Sequence, residues 1–326
     1  MGDTWQVLLP RTIDPVGPDS IANFASCTSV STYEDTEALR ADVDRYDAVI
    51  DRLIDLSAET LRAAENLKVV SKHGVGVDNI DVETASELGI VVCNAPGANA
   101  RGVAEQAITL LLMARKRVLA ADRHVRERGW DRHQFSTREV GGDVLGLLGC
   151  GNIGSTVAEL ARGLGMSVIA HDPYVDPSDV PDGVELLADR DRLFERSDVL
   201  SVHVPLTDET RGAVSTEEFR LLGEGGIVVN TSRGGVVDES ALADALDAGL
   251  VAGAGLDTLE NEPPAPDNPL LEREDVVLTP HIGGITVESL REASRRSAES
   301  VRDVYEGRLP DHTLNADSAE AFRFQE

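Results

Sequence analysis

A short apolar run, Val144-Leu145-Gly146-Leu147-Leu148, leads directly into Gly149-Cys150-Gly151-Asn152-Ile153-Gly154 and then into a helix-like stretch reaching Arg162. Asp172 stands 18 residues past Gly154, at the end of a second apolar run, Ser167-Val168-Ile169-Ala170-His171. Strand, glycine turn, helix, strand and terminal carboxylate, in that order and spacing, make up a dinucleotide-binding βαβ unit. Gly149 allows the tight turn and Gly151 lets backbone approach a pyrophosphate. Gly154 lets the helix pack close to the strand, and the helix N-terminus faces the negative charge. The unit begins near the middle of a 326-residue chain, so another domain is expected to come first.

Apolar strand candidates alternate with helical patterns throughout, which predicts an α/β protein with parallel sheets. The first set is Val7–Leu9, Ala48–Ile50, Val69–Ser71 and Val91–Cys93, with helix-like stretches such as Thr36–Asp42 and Ser57–Ala64 between them. The second set starts at Leu145 and continues through Val168–Ala170, Val199–Val204, Ile227–Asn230, Ala252–Asp257 and Val276–Thr279. Two helices are expected to join the domains. One spans Ala100–Ala121, with Val103, Ala107, Leu111, Ala114 and Val118 recurring at helical spacing. The other spans Thr286–Tyr305. The predicted substrate domain is therefore discontinuous, residues 1–98 and 284–326, around a cofactor domain of residues 99–283. The acidic end, Ala316–Glu326, has little periodicity and is expected to fray.

Composition narrows the function. With 41% hydrophobic and 27% charged residues the chain is globular, and no apolar run approaches the ~20 residues of a membrane span. The segment Met1–Trp5 lacks the basic-then-apolar plan of a signal peptide, so a cytoplasmic location is expected. Cys27, Cys93 and Cys150 are scattered, which suits a reducing compartment and predicts no metal site. Cys150, inside the glycine loop, reads as a small tolerated residue. The formal net charge is −28, and Lys68, Lys72 and Lys116 are the only lysines. Nucleic acid is excluded as a partner, because phosphates need a basic face. Carboxylate excess together with lysine scarcity points to a halophilic cytoplasm, where salt screens self-repulsion.

Asp172 can accept both ribose hydroxyls of NAD and would repel the 2′-phosphate of NADP, so NAD is the expected cofactor. Three further segments each follow a predicted strand: Asn230–Asp238 with Arg233, Asp257–Pro264 with Glu262, and Thr279–Gly284 with His281. Ligands collect at the carboxyl ends of strands in open α/β sheets, so these residues can converge on one crevice. Their chemistry fits hydride transfer to a 2-keto acid. Arg supplies a planar bidentate cation for the carboxylate. His supplies a proton to the carbonyl near neutral pH, and a carboxylate beside it orients the ring.

The chain resembles the D-isomer-specific 2-hydroxyacid dehydrogenase family, particularly its phosphoglycerate-dehydrogenase-like branch, over essentially its whole length. Besides the glycine motif, the resemblance rests on Lys72-His73-Gly74-Val75-Gly76-Val77-Asp78-Asn79-Ile80-Asp81, on Asn94-Ala95-Pro96-Gly97-Ala98-Asn99 leading into Val103-Ala104-Glu105, and on Val202-His203-Val204-Pro205-Leu206-Thr207. It implies two Rossmann-like domains with the active site in the cleft between them, closing by hinge motion. Arg233 would bind the substrate carboxylate, and His281, paired with Glu262, would exchange the proton. The Val75-Gly76-Val77 backbone and Asn99 would contribute to the substrate site. Asn152, Ile153, Asp172, Val204, Thr231, Asp257 and Gly284 would line the NAD site with Gly149, Gly151 and Gly154, Asp257 near the nicotinamide amide. The helix near Ala100–Ala121 resembles the family's dimerisation element, which implies a homodimer; burial of its apolar face within one subunit is the alternative.

Some positions depart from the family pattern. Arg101 and Gln106 replace residues that are often Ser and His. Arg101 could extend a positive patch toward an anionic substrate or be a solvated helix residue. Relatives acting on phosphorylated substrates tend to present Arg-Ser followed by Thr where this chain has Asp51-Arg52-Leu53-Ile54-Asp55. Two carboxylates beside a phosphate subsite would cost binding, which favours an unphosphorylated acid such as hydroxypyruvate or glyoxylate over D-3-phosphoglycerate. The alternative of another class is an NAD-sensing, corepressor-like binding protein. The sequence shows no C-terminal regulatory domain, so feedback control of that type is not expected.

Overall fold

The computed structural model describes residues 4–323. It divides into two compact units, one formed by the chain up to Asn99 and again from Ile285, the other by Ala100–Gly284. The first unit begins with β1 (Trp5–Leu9), α1 (Val16–Ile21), β2 (Ala25–Ser29), α2 (Thr36–Arg40), β3 (Ala48–Asp51), α3 (Ala58–Ala63), β4 (Val69–Lys72), α4 (Val82–Glu87) and β5 (Val91–Cys93). The second holds α5 (Ala100–Arg115), α6 (Val118–Arg126), β6 (Val144–Leu148), α7 (Asn152–Gly163), β7 (Ser167–His171), β8 (Val184–Leu186), α8 (Arg190–Arg196) and β9 (Val199–Val202). It continues with α9 (Thr216–Leu222), β10 (Ile227–Asn230), α10 (Glu239–Asp247), β11 (Gly253–Leu256) and β12 (Val276–Leu278), and α11 (Val287–Tyr305) returns to the first unit.

Both sheets are wholly parallel. Their strand orders are β2-β1-β3-β4-β5 and β12-β11-β10-β9-β6-β7-β8. Parallel sheets are covered on both faces, so their strands read as near-continuous apolar runs. In the first unit, Leu8, Val49, Val70 and Val92 pack on one side with Tyr46, Leu61 and Leu67. Val7, Ile50, Val69 and Val91 pack on the other with Ile21, Phe24 and the α11 residues Ala298, Val301 and Val304. In the second unit, Leu145, Leu147, Val199 and Val229 meet α5 and α7, while Leu148, Leu200 and Val228 meet α8, α9 and α10. Side-chain caps start the helices where the chain offers Asp35, Ser57, Asp81, Asp189, Asp238 and Thr286.

The expected helix Ala100–Ala121 is two helices. Arg117 takes a left-handed conformation at φ 50°, between α5 and α6. The end of α5 is anchored from the side: buried Arg115 donates to Asp143 at 2.7 Å and to the carbonyls of Gly225 and Asp198, and Lys116 donates to the Arg138 carbonyl. Ala107, Leu111 and Ala114 pack in the core of their own unit, so that part of the apolar face serves the subunit itself, and Val103 is buried as well. Each large apolar side chain buried there contributes about 1.5–3 kcal/mol. Val118, beyond the break, is exposed with Leu119, Val125 and Trp130.

Two strands escaped the sequence reading. β2 is Ala-Ser-Cys-Thr-Ser, with Ser26 and Cys27 exposed, and β8 has three residues, none fully buried. Both are edge strands, which lack the apolar signature of central ones. At the opposite edge, β5 is covered by the C-terminal segment: Leu314 donates to the Val92 carbonyl at 2.7 Å and Asn315 Oδ1 accepts from Val92 N. Ala316–Ala321 forms a 3₁₀ turn rather than a frayed end, while the last three residues of the expected frayed segment lie outside the described residues. No described helix is long and apolar enough to cross a membrane.

Candidate active site

The second sheet changes winding direction at β6, whose neighbours are β9 on one side and β7 on the other. A crevice forms at such a switch point, beyond the carboxyl ends of the strands. Loops carrying Gly149, Asp172 and Val204 leave β6, β7 and β9 there. Loops carrying Arg233, Asp257 and His281 leave β10, β11 and β12 at the same end of the sheet. One half of the strand ends thus carries the glycine loop and the Asp172 carboxylate, and the other half carries Arg233, Asp257 and His281.

The glycine loop has the geometry its spacing predicts. Gly149 sits at φ 96°, and a Cβ there would approach the His203 backbone to 2.9 Å. A Cβ on Gly154 would come within 2.4 Å of the Gly149 carbonyl, so helix and turn are in direct contact. A Cβ on Gly151 would meet nothing within 4 Å, leaving open space in front of the N-terminus of α7. Asn152, Ile153 and Gly154 are the first residues of that helix, and their amides are the ones a helix leaves for an anion. Asp172 accepts from Cys150 N at 2.9 Å through one oxygen and from Tyr174 N at 3.0 Å through the other, which fixes the carboxylate beside the loop. Two buried hydroxyls of this unit, on Thr231 and Thr258, have no partner. An open cradle, a helix N-terminus, a fixed carboxylate and orphaned hydroxyls together fit a bound dinucleotide.

His203 lies in the loop after β9. It lies half-buried against the glycine loop, its Nε2 lies 2.8 Å from Ser201 Oγ, and desolvation of the ring pushes its pKa down to about 4. It is therefore a neutral packing element beneath the turn. Cys150 is buried at the same turn, with its thiol pushed up by burial; all three cysteines are free.

On the other half, His281 and Glu262 come together. His281 Nδ1 lies 2.8 Å from Glu262 Oε2. A carboxylate can only accept, so Nδ1 carries the proton and the Nε2 edge of the ring is turned toward other partners. Leu259 N donates to the other oxygen of Glu262 at 3.2 Å. His281 has φ 54°, the left-handed region that costs a residue with a Cβ of order 1 kcal/mol or more. The loop holds it there: His281 N donates to the Asp257 carbonyl at 2.8 Å, while the Asp257 carboxylate accepts from Ile282 N, Gly283 N and Thr279 Oγ1. Gln106 Nε2 donates to the same Thr279 hydroxyl at 2.9 Å. Asp257, expected beside the nicotinamide amide, thus has both oxygens bound to the His281 turn, next to Gly284. Gln106, noted only as a departure, supports that turn.

Arg233 begins the loop after β10, and Asn230 Nδ2 holds its carbonyl at 2.8 Å. The next residue has no room for a side chain, since a Cβ on Gly234 would fall 1.9 Å from the Leu259 backbone. The Arg233 loop is therefore pressed against the loop that carries Glu262. Buried Glu239 and exposed Glu260 each accept from the other's amide, and Asn268 donates to Glu239, pinning the same loop from behind. Sequence reading could not find Glu239, because its partner lies 21 residues away. Arg101 pairs with Glu105 at 2.7 Å on the exposed face of α5, which makes it a solvated helix residue. Among the described residues no group of three or more His, Cys, Asp or Glu could hold a metal ion.

In the first unit, Val75, Gly76 and Val77 follow β4, and their amides donate to no backbone carbonyl among the described residues. Asn94 Nδ2 holds the Val75 carbonyl at 2.8 Å. Asn99 has a buried side-chain oxygen without a partner. The penalty assigned to Asp51 does not hold. Asp51 is fully buried and paired with Lys72 at 2.8 Å, so its charge is neutralised inside the unit. Only Asp55 remains exposed beside Arg52.

The NAD-binding domain of the D-isomer specific 2-hydroxyacid dehydrogenases matches residues 108–283. A D-3-phosphoglycerate dehydrogenase of Archaeoglobus fulgidus is 40% identical over 98% of this chain, and the chain spans 61% of that relative's length. A hydroxypyruvate reductase of Thermotoga maritima is 38% identical over 91% of this chain and 97% of its own. Among solved structures, a glyoxylate reductase from Paecilomyes thermophila superposes with a TM-score of 0.85 at 28% identity, covering 97% of this chain and 100% of that one. The chain belongs to the D-isomer specific 2-hydroxyacid dehydrogenase family.

Proposed function

We propose that this chain is an NAD-dependent D-2-hydroxyacid dehydrogenase acting on a small 2-keto or 2-hydroxy acid of the hydroxypyruvate or glyoxylate type. The observation that carries the reading is the 2.8 Å His281–Glu262 pair, held in a strained turn beside the Arg233 loop. NAD, when bound, supplies or accepts the hydride. The Arg233 guanidinium grips the substrate carboxylate through two parallel hydrogen bonds and polarises the neighbouring carbonyl. As hydride reaches the carbonyl carbon, the carbonyl oxygen takes a proton from His281 Nε2; in oxidation the same nitrogen takes it back. Glu262 holds Nδ1–H, fixing the ring and complementing the imidazolium charge. The amides of Val75, Gly76 and Val77 add donors for the carboxylate. Asp172 selects NAD over NADP by repelling a 2′-phosphate.

The second reading, oxidation of D-3-phosphoglycerate, gains support from the buried Asp51–Lys72 pair, which removes one of the two carboxylates set against a phosphate. NADH oxidation at molar KCl decides between them, with hydroxypyruvate, glyoxylate, pyruvate and 3-phosphohydroxypyruvate compared by kcat/KM. The expected result is turnover of an unphosphorylated acid with at least tenfold preference for NADH over NADPH. Preference for the phosphorylated acid supports the second reading; no turnover with any acid sinks both and favours a nucleotide-sensing binding protein.

A halophilic, cytoplasmic setting and a homodimer complete the proposal. The net charge of −28 and three free cysteines support the first two. Exposed Val118, Leu119, Val125 and Trp130, the last 77% exposed, support a second copy seated on α6. Thermal unfolding is expected to fall when molar KCl is replaced by low salt, and light scattering to give twice the chain mass. A salt-independent melting temperature would remove the halophilic reading, and a monomer mass the dimer.

A further inference from the structure

We propose that Asp51, Lys72 and Asn79 form a buried positioning unit that fixes the Val75-Gly76-Val77 backbone and thereby sets substrate affinity. The inference rests on assigning that backbone to the substrate carboxylate. Asp51 and Lys72 end the adjacent parallel strands β3 and β4 and are register partners, so their side chains stand next to each other at the sheet end. Lys72 Nζ uses all three of its protons: on Asp51 Oδ2 at 2.8 Å, on the Arg52 carbonyl at 2.7 Å and on Asn79 Oδ1. Asn79 Nδ2 donates to Asp51 Oδ2 at 2.8 Å and to the Ile54 carbonyl. The other Asp51 oxygen accepts from Ile54 N at 2.8 Å.

Every polar group of the cluster is therefore satisfied, and the network ties the 51–56 loop to the segment after β4. Backbone bonds extend the tie, Leu56 N to the Asn79 carbonyl at 2.9 Å and Asp81 N to the Leu56 carbonyl at 3.0 Å. On the other side of the partly buried stretch Gly74–Val77, His73 is buried with its Nε2 3.1 Å from the Leu290 carbonyl. The segment is clamped at both ends, and its Gly74 and Val75 carbonyls are held by Ala95 N and Asn94 Nδ2, while the amides of Val75, Gly76 and Val77 keep no backbone acceptor.

Stability is a poor account of this cluster. A buried ion pair replaced by apolar residues of similar volume is often neutral or stabilising, and the better-attested use of such a pair is to fix one geometry. Here the geometry fixed is that of two loops, one carrying Arg52 and the other carrying amides without backbone acceptors.

The test uses the double variant Asp51→Val, Lys72→Met, which leaves no uncompensated charge, beside the single variant Lys72→Arg, which keeps the charge and several donors. Three readouts are taken at molar KCl: thermal unfolding, amide hydrogen exchange, and steady-state kinetics with the preferred 2-keto acid. The double variant is expected to melt close to wild type. The hydrogen-bonded amides of the tie, Leu56, Ile80 and Asp81, should exchange at least tenfold faster while those of Val69 and Val70 stay protected, because a lost tie frees the loops and spares the strand. KM for the acid should rise about tenfold with kcat within about threefold and KM for NADH unchanged, the signature of lost uniform binding. Lys72→Arg should restore both exchange and KM. Unchanged exchange at Leu56, Ile80 and Asp81 overturns the proposal whatever the kinetics, as does faster exchange spread evenly over the first unit. Faster local exchange with no turnover of any acid by the wild type supports the positioning role and rejects the functional reading instead.

Discussion

His281→Ala should lower kcat for 2-keto acid reduction by about 10³–10⁴-fold while NADH still binds within about twofold of the wild-type affinity. A general acid placed by hydrogen bonding contributes about 10²–10⁴, and the upper end is expected here because the ring is held twice. Glu262 fixes it at Nδ1, and the turn organised by Asp257 fixes the backbone at φ 54°. Since the two residues act as one unit, adding Glu262→Gln to His281→Ala should cost little more than His281→Ala alone. Stopped-flow titration with NADH separates binding from turnover. Retention of a tenth or more of wild-type kcat would remove His281 from the chemistry.

Arg233→Ala should reduce kcat/KM by about 10³-fold, corresponding to about 4 kcal/mol, through both a higher KM and a lower kcat. Arg233→Lys should recover only a small part of that. Lysine keeps the charge but has no planar fork to match a carboxylate with two parallel bonds. The loop geometry sharpens this expectation. Gly234 is pressed on the Leu259 backbone, so the loop cannot shift to bring a differently shaped cation to the same place. Steady-state kinetics with NADH saturating check it. A Lys variant within about fivefold of wild type would show that charge, rather than bidentate geometry, is what the substrate needs.

What the sequence made legible was local. The turn around Gly149, Gly151 and Gly154 depends on three glycines within six positions, and central strands such as Ile227–Asn230 declare themselves by unbroken burial. Arg233, Glu262 and His281 could be named because each follows a readable strand. What stayed hidden depends on partners distant in sequence. Asp51 reads as an exposed acid until Lys72 is placed beside it by strand register. Asp257 reads from the sequence as a cofactor contact, and its hold on the 279–283 turn shows only once the fold brings Thr279, Ile282 and Gly283 to its carboxylate. The break at Arg117 carries no glycine or proline to mark it; the anchoring of Arg115 and Lys116 from other segments accompanies it. β2 is an edge strand with little apolar content and β8 an edge strand of three residues, so no pattern announced them.

The return of the chain into its first unit has a bearing on biosynthesis. Val7, Ile50, Val69 and Val91 present one face of the first sheet to Ala298, Val301 and Val304 of α11. During translation those four strands leave the ribosome long before residues 298–304 exist. At elongation speeds of about 5–20 residues per second, some 200 intervening residues leave that face without its α11 cover for about 10–40 seconds. The unit made second, Ala100–Gly284, is continuous and can fold to completion first. A nascent chain stalled before Val287 would therefore carry a finished nucleotide-binding body joined to a sticky, half-roofed sheet, the species a holdase chaperone would be expected to capture.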